Sequence, residues 1–205
     1  MHKHLLIIFF TIMVFGNLKA QDHLEPVRSI FDIYDFQFEY YSKVRNILFE
    51  GLTDNSEIRY LVMPSFSGEN VLDISKDQKN FKYFIHHHIA EQSIWYSQND
   101  EKEVKVKVKK IKKEISERDV ELIKLLFQKA VSTSRYPDKK TYGLDGTTYY
   151  FFTSRKSGAI WSPDSGSKMS RLVEIGYDII DFSKNDSQNL SEEIVRKIEL
   201  LIKEL

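Results

Sequence analysis

The stretch from Tyr142 to Phe182 constrains the fold of this chain most, because its turn-forming and strand-forming residues follow one another without a gap. Asp145-Gly146 predicts a type I′ hairpin turn, since such a turn needs positive φ at both central residues. The β-branched and aromatic run Thr147–Thr153 predicts a strand. The polar run Arg155–Gly158 predicts that the chain turns back there, so that Ala159–Trp161 pairs with the aromatic strand.

The same stretch continues into a helix. Pro163 cannot donate a hydrogen bond to a sheet, so the strand is expected to end at or just before it. Ser167 can cap the helix that follows. Four apolar residues recur in this helix at helical spacing and are expected to lie on the sheet: Leu172, Ile175, Ile179 and Phe182. We expect the ring of Trp161 to be buried against this helix as a structural anchor; the alternative is that it lines an exposed binding site.

The Asp145-Gly146 turn, the aromatic strand, the Trp161-Ser162-Pro163 corner and the Leu172 helix resemble a pattern found in a family of small uncharacterised exported proteins of Gram-negative bacteria. The resemblance covers roughly a fifth of the chain and consists of packing motifs: a DG turn, a WSP corner and a Leu-rich helix. It implies an α+β domain. It carries no activity, cofactor or site residue over to this chain.

Residues 1–20 are predicted to be a secretory signal peptide. A short basic start precedes the apolar run Leu5–Phe15, and the small residue Ala20 stands before the expected cleavage site. The run is shorter than the ~20 apolar residues that a membrane-spanning helix needs, although an uncleaved N-terminal anchor remains the alternative. We expect a single soluble domain over residues 21–205, located in the periplasm or outside the cell.

Composition limits what the mature chain can do. Loss of Lys3 and Lys19 with the signal peptide leaves 28 basic against 30 acidic side chains, and a net charge of −2 gives no global attraction to nucleic acid or anionic membranes. No second apolar run approaches membrane-spanning length. The chain has no cysteine, which excludes a lipid-modified cysteine, disulfides, thiol catalysis and thiolate metal sites.

The part of the chain before residue 116 predicts a helix followed by strands. A helix is expected from about Asp35 to Glu50, and Gly51 fits just past its end. Four strands are expected at residues 57–63, 71–75, 81–96 and 103–115, as an antiparallel meander with one face in water. The apolar residues change from even-numbered to odd-numbered positions between Val108 and Ile111. A β-bulge near Lys109-Lys110 would keep them on one face of the strand.

Two more helices are expected. Ser116 and Asp119 predict a capping-box start to a helix that ends near Ser132. Ser191 caps a C-terminal helix whose apolar residues are Ile194, Ile198, Leu201 and Leu205. Together with the elements above, the sequence predicts an α+β fold of roughly six to seven antiparallel strands, in one sheet or two, packed against about four helices.

His86-His87-His88 is the histidine cluster in the body of the chain. In a strand His86 and His88 share a face, and two neutral imidazoles at this spacing can hold zinc or copper. A metal site needs a third ligand, and the nearby sequence offers none. His87 falls on the apolar face, where it is expected to be a hydrogen-bonded core histidine. We expect no cofactor, with His86 and His88 as the metal candidates.

Ser165-Gly166-Ser167-Lys168 matches S-x-x-K, the nucleophile motif of penicillin-binding proteins and serine β-lactamases. In that chemistry Ser165 would be the nucleophile and Lys168, one helical turn later, the base. The partner motifs S-D-N and K-T-G are missing, and the mature chain is too short for that fold. The alternative is a helix N-terminus with capping serines. Ser165 and Lys168 are the catalytic candidates.

Lysines form a basic ribbon along the last strand of the meander: Lys102, Lys105, Lys107, Lys109, Lys110, Lys112 and Lys113. The ribbon could contact acidic glycans, lipid headgroups or an acidic protein. Lysines on an edge strand also guard against edge-to-edge aggregation, and this is the interpretation that we favour.

The sequence contains no coherent set of catalytic residues. We therefore expect an exported binding or interaction protein whose partner is a protein or a glycan. The alternative is a small periplasmic hydrolase, either metal-dependent through His86 and His88 or built on a serine and histidine pair. The convergence of these two histidines with a carboxylate would discriminate between the two.

Overall fold

The computed structural model describes residues 22–28, 38–97, 105–137 and 145–205. In these ranges the chain forms one seven-stranded antiparallel sheet and five helices, four of which have at least 7 residues. The predicted α+β class is thus confirmed, and the strands belong to one sheet. The predicted signal peptide, residues 1–20, lies outside the described residues, and none of the described helices has the length and apolarity needed to span a bilayer.

The strands are β1 (Glu25–Val27), β2 (Ile58–Pro64), β3 (Asn70–Lys76), β4 (Tyr83–Ala90), β5 (Val108–Ile115), β6 (Thr147–Thr153) and β7 (Ser157–Trp161). The helices are α1 (Phe38–Leu48), α2 (Ile94–Ser97), α3 (Glu117–Ser132), α4 (Lys168–Phe182) and α5 (Glu192–Glu204). The order across the sheet is β1-β7-β6-β2-β3-β4-β5, so β1 and β5 are the edges. The predicted meander corresponds to β2-β3-β4-β5.

Helices cover both faces of the sheet. On one face Tyr60 of β2 packs in a core with side chains of α3, α4 and α5. On the other face the next residue, Leu61, packs with side chains of α1 and α2. The prediction that one face of the meander is in water is therefore wrong, because α1 and α2 cover that face.

The same two-sided burial explains the change from even-numbered to odd-numbered apolar positions in β5. The strand pairs with β4 residue by residue from Tyr83↔Ile115 to Ala90↔Val108, so the predicted bulge is wrong. Val106 and Val108 pack in the core under α1 and α2, whereas Ile115 packs in the opposite core. The apolar residues change phase because the two ends of the segment contribute to different cores.

The N-terminal half agrees with the predicted helix, whose first residues, 35–37, lie outside the described residues, and differs from the prediction in two further places. The helix expected over residues 35–50 is described from Phe38, and Gly51 follows it with φ 84°, as a position just past a helix end requires. The strand expected over residues 81–96 stops at Ala90, and Ile94–Ser97 is a short helix. The sequence did not predict β1, which pairs with β7.

The β6–β7 hairpin and α4 agree closely with the prediction. Tyr149 pairs with Ile160, β7 ends before Pro163, and Ser167 caps α4 by accepting from the amide of Ser170. The type I′ turn at Asp145-Gly146 is wrong, since Gly146 does not have the positive φ that such a turn needs at its second central residue. The carbonyl of Gly146 instead accepts from Ser65, which follows β2.

Trp161 lies on the other side of the sheet from the position expected. Its neighbour Ile160 points into the core under α4, so Trp161 at the next position faces away from that helix. The indole is half-buried and lies on Gly146, where a β-carbon would stand 2.6 Å from its Nε1. The expected burial of Trp161 against α4 is therefore wrong.

The helix caps in the second half follow the prediction with one change. Ser116 accepts from the amide of Asp119, and Ser191 accepts from that of Ile194. Asp119 does not return the bond as a capping box would, because its buried carboxylate accepts from the amide of Leu190 and ties the start of α3 to the segment before α5.

Candidate functional site

His86 and His88 share a face of β4, as expected from their spacing, and a carboxylate lies beside them. Asp73 of β3 is directly opposite His86 in the register of the sheet. Its side chain has no exposed surface. Its negative charge acts to raise the pKa of both histidines, although burial is the larger effect and lowers both pKa values. Both imidazoles are therefore neutral at pH 7.

This cluster is organised by structural contacts rather than as a ligand set. Arg59 of β2 holds Asp73 through its Nε and a terminal nitrogen, each 2.8 Å from Oδ1. His88 donates from Nδ1 to the carbonyl of Leu48 at 2.7 Å, which closes the end of α1. Within the described ranges, no three histidine, aspartate or glutamate side chains are arranged to hold a metal ion. The carboxylate is thus near His86 and His88, but the three do not converge.

A serine and histidine pair does exist, on the opposite face of the sheet. Nδ1 of His87 lies 3.2 Å from Oγ of Ser183, the residue just after α4. The Ser183 hydroxyl donates to the carbonyl of Ile180 at 2.6 Å, so it accepts from Nδ1–H of His87. A base must accept the proton of the nucleophile, and here the direction is reversed.

His87 is accordingly a core residue, as the sequence predicted. It is 1% exposed, and Ser183 is 2% exposed, so no substrate reaches the pair. Burial, with Lys184 as the next largest influence, lowers the pKa of His87 to about 4. The imidazole is neutral and holds the end of α4 against β4.

Ser165 and Lys168 are placed apart by the backbone around them. Ser165 is exposed in the turn before α4, and Gly166 follows it with φ +79°. The helix begins only at Lys168, so the pair does not have the one-turn stacking that S-x-x-K chemistry uses. The Lys168 ammonium donates to the carbonyl of Glu204 at the end of α5, 3.1 Å away. The motif therefore serves as a helix start in this structure, with Ser167 as its cap.

Arg59 also lines a cleft of about 360 Å³ beyond the end of α1. Its guanidinium lies 4.6 Å from the centroid of the Phe49 ring and donates to the carbonyl of Thr53 at 2.8 Å. The Arg59–Asp73 pair therefore positions the loop after α1. Sequence reasoning missed this pair; an aspartate inside the apolar strand Val71–Ser75 was the available signal, because a buried charge needs a partner.

The lysine ribbon lies on β5 and the residues just before it, at an edge of the sheet. Lys102 is outside the described residues. Three of the lysines have partners within the protein. Lys110 pairs with Glu50 at 2.8 Å, Lys112 lies 4.3 Å from the Phe84 ring centroid, and Lys113 contacts the end of α4.

The other three lysines of the ribbon point into solvent. Lys105, Lys107 and Lys109 are exposed, and none of them forms an ion pair within the part of the chain that the structure describes. They alternate along one edge of the sheet with Val106 and Val108, which pack inward. A row of three exposed cations therefore lies on β5 and just before it, at the edge of the sheet.

Comparison with protein-family models, with curated proteins and with solved structures found no match. The resemblance to exported proteins of Gram-negative bacteria stays a prediction.

Proposed function

We propose that the protein is exported and acts by binding an acidic partner, a protein or a glycan, through the edge strand β5. The observation that carries the proposal is the exposed row of Lys105, Lys107 and Lys109 beside this edge. An edge strand offers unpaired backbone groups, and the lysines add an attraction for carboxylate, sulfate or phosphate groups.

The contacts of the other candidates favour binding over catalysis. His87 donates to Ser183, His88 donates to Leu48, and Lys168 donates to Glu204. Each of these side chains holds two elements together. The hydrolase alternative therefore has no reactive pair at an accessible place among the residues that the structure describes.

Lysines at a sheet edge also prevent aggregation, and the two roles predict different results. A purely protective row needs positive charge but no ligand. A binding row needs a partner whose affinity falls steeply as salt is added, because exposed charges are screened over about 10 Å at 0.1 M ionic strength.

Binding can be tested with hyaluronan, an acidic glycan that carries carboxylates and no sulfate esters, and with poly-glutamate as an acidic polypeptide. We expect the protein to bind at least one of them at low salt, and the triple variant K105E/K107E/K109E to lose that binding. The matched control K79E/R196E/K203E makes the same change in net charge at exposed basic side chains elsewhere. Equal loss in both variants, or no binding of either probe, would contradict the proposal.

Export is tested separately. The apolar run Leu5–Phe15 supports cleavage close to Ala20. Expression of the full chain in a Gram-negative host, followed by fractionation and mass spectrometry, is expected to give a product that begins at Gln21 or within a few residues of it. A full-length product in the cytoplasm would contradict export and leave the binding test unaffected.

A further inference from the structure

A second cleft, of about 670 Å³, lies near the sheet edge opposite β5. It is formed where the end of β1, the end of α3 and the turn between β6 and β7 meet. Its size falls in the range of about 300–1,000 Å³ that is usual for small-molecule sites. Among the residues that the structure describes, three basic side chains and no acidic side chain line it.

The three basic side chains are Arg28, Arg155 and Lys156. All three are exposed, and none forms an ion pair within the described ranges. Arg28 follows β1, whereas Arg155 and Lys156 belong to the β6–β7 turn, so two separate segments bring positive charge to one cleft. Like charges repel unless an anion lies between them, which makes the cleft a place where a bound anion is favourable.

The β6–β7 turn adds further donors. It is closed by Thr153 and Lys156, since the Thr153 amide donates to the Lys156 carbonyl at 2.9 Å and the Lys156 amide donates to the Thr153 hydroxyl at 3.1 Å. Within the described residues, the amides of Ser154 and Arg155 and the Ser154 hydroxyl have no such partner. Free amides in a turn are a common way of binding oxyanions.

The end of α3 is compatible with an anion in this cleft. A helix C-terminus normally presents bare carbonyls, which repel anions. Here the Ser132 hydroxyl donates to the carbonyl of Lys129 at 2.8 Å, and the Ser134 hydroxyl donates to that of Val131 at 2.7 Å. Both serines line the cleft, so hydroxyl groups already satisfy carbonyls of the last turn.

An apolar surface lies beside the charges. Phe152 lines the cleft and is half-buried, and its ring is stacked near that of Tyr150, with centroids 6.2 Å apart and an interplanar angle of 19°. An aromatic ring held in this way can pack against the apolar face of a sugar ring while the cations hold a charged substituent.

We propose that this cleft binds a phosphate or sulfate ester of a sugar, with the oxyanion held by Arg28, Arg155, Lys156 and the turn amides, and with the sugar beside Phe152. The site shares no residue with the β5 edge. It can therefore be right or wrong independently of the function proposed above.

Glucose 6-phosphate, glucose 6-sulfate, inorganic phosphate and glucose are suitable probes. In amide NMR titrations of the mature protein, we expect both esters to shift the signals of Ser154 and Arg155 and to bind more tightly than phosphate, with no response to glucose. The ester that binds more tightly identifies which oxyanion, phosphate or sulfate, the cleft prefers. Saturation by glucose, or equal affinity for phosphate and the esters, would overturn the proposal.

Substitution of the basic residues provides a second test of the proposal. R155Q/K156Q is expected to weaken ester binding about tenfold or more, because each lost cation removes a charge-assisted hydrogen bond. K79Q/K203Q removes the same charge at exposed positions outside the cleft and serves as the matched control. Both pairs are exposed, so each is expected to leave the melting temperature unchanged. Equal weakening in the two pairs would overturn the proposal, whereas unchanged ester binding in K105E/K107E/K109E would separate this cleft from the β5 edge.

Discussion

Gly176 of α4 lies directly against the ring of Tyr60 in β2. A β-carbon at position 176 would stand 2.6 Å from both Cε1 and Cζ of that ring. Tyr60 is 1% exposed, and its ring packs at 4.9 Å from Phe151 and 6.4 Å from Phe127, measured between centroids. The ring is thus held on several sides, and the distance between α4 and the sheet is set by the missing side chain of Gly176.

G176A is therefore expected to destabilise the fold, although alanine normally stabilises a helix relative to glycine. The clash in a packed core costs about 1–3 kcal/mol, which exceeds the gain of roughly 1 kcal/mol from helix propensity. Urea unfolding of the variant measures the difference. The double variant Y60L/G176A makes room for the new methyl group, so it is expected to lose less than the sum of the two single changes. Stabilisation by G176A alone would contradict this packing.

The low pKa of His87 predicts that stability falls in mild acid. The ordinary pKa is 6.5 and the folded pKa is about 4, so between these values the unfolded chain binds a proton that the folded chain does not. The free energy of unfolding therefore falls as the pH is lowered through this window, by up to about 3 kcal/mol. Burial also lowers the pKa of His86 and His88, so these residues lower the free energy of unfolding further as the pH falls.

Chemical unfolding at several pH values between 7 and 4 tests this expectation. His87→Gln removes the titrating group and retains a hydrogen-bonding side chain next to Ser183. The variant is expected to be less stable at neutral pH, with a smaller loss on acidification than the native chain. Parallel pH profiles for the two proteins would mean that His87 is protonated as readily in the folded state as in the unfolded state.

The Arg59–Asp73 pair is expected to be costly to break. Asp73 has no exposed surface, so R59M leaves a buried carboxylate without its cation, a change that typically costs about 3–5 kcal/mol. The double variant R59M/D73L replaces both charges with apolar side chains and is expected to recover much of the loss. In R59M the pKa of His86 is expected to rise, because the negative charge of Asp73 would no longer be balanced; NMR titration of the imidazole measures this.

Trp161→Ala is expected to be milder than the substitution of a core aromatic residue. Truncating a fully buried ring costs about 3–5 kcal/mol of stability. The indole of Trp161 is half-buried against Gly146, so its truncation removes less buried apolar surface and is expected to cost less. A thermal melt, read together with the fluorescence change on ligand addition, distinguishes a packing role from a binding role. A loss as large as that of Phe151→Ala, a fully buried residue in the neighbouring strand, would contradict the placement of the indole.

Local sequence signals were sufficient for the second half of the fold. Thr147–Thr153 and the caps Ser167 and Ser191 were predicted from side-chain chemistry that acts within a few residues, and the structure confirms them. The predicted turn at Asp145-Gly146 is wrong because the Gly146 carbonyl bonds to Ser65, 81 residues earlier. The preference of a dipeptide could not reveal that bond.

The second layer of helices was the main feature that local patterns missed. Tyr60 and Leu61 are consecutive and both buried. The apolar residues of β2 therefore do not alternate with polar ones, as they would in a strand with one face in water. For the candidate sites, spacing correctly put His86 and His88 on one face. The roles of their neighbours depended on Asp73 and Arg59, and a register between strands is needed to bring those residues together.

Lys113 fastens one end of the edge strand in a part-buried contact, whereas Lys110, nearer the other end, is held by the exposed side chain of Glu50. The Lys113 ammonium lies 3.6 Å from the centroid of the Phe182 ring and donates to the carbonyls of Phe182 and Asn185 at 2.6 and 2.8 Å. At the opposite end, Val108 follows lysines that point into solvent. Backbone amides of β5 should therefore exchange with deuterium fastest near Val108 and slowest near Ile115. Local unfolding of the strand is expected to begin at the end that carries the unpaired lysines.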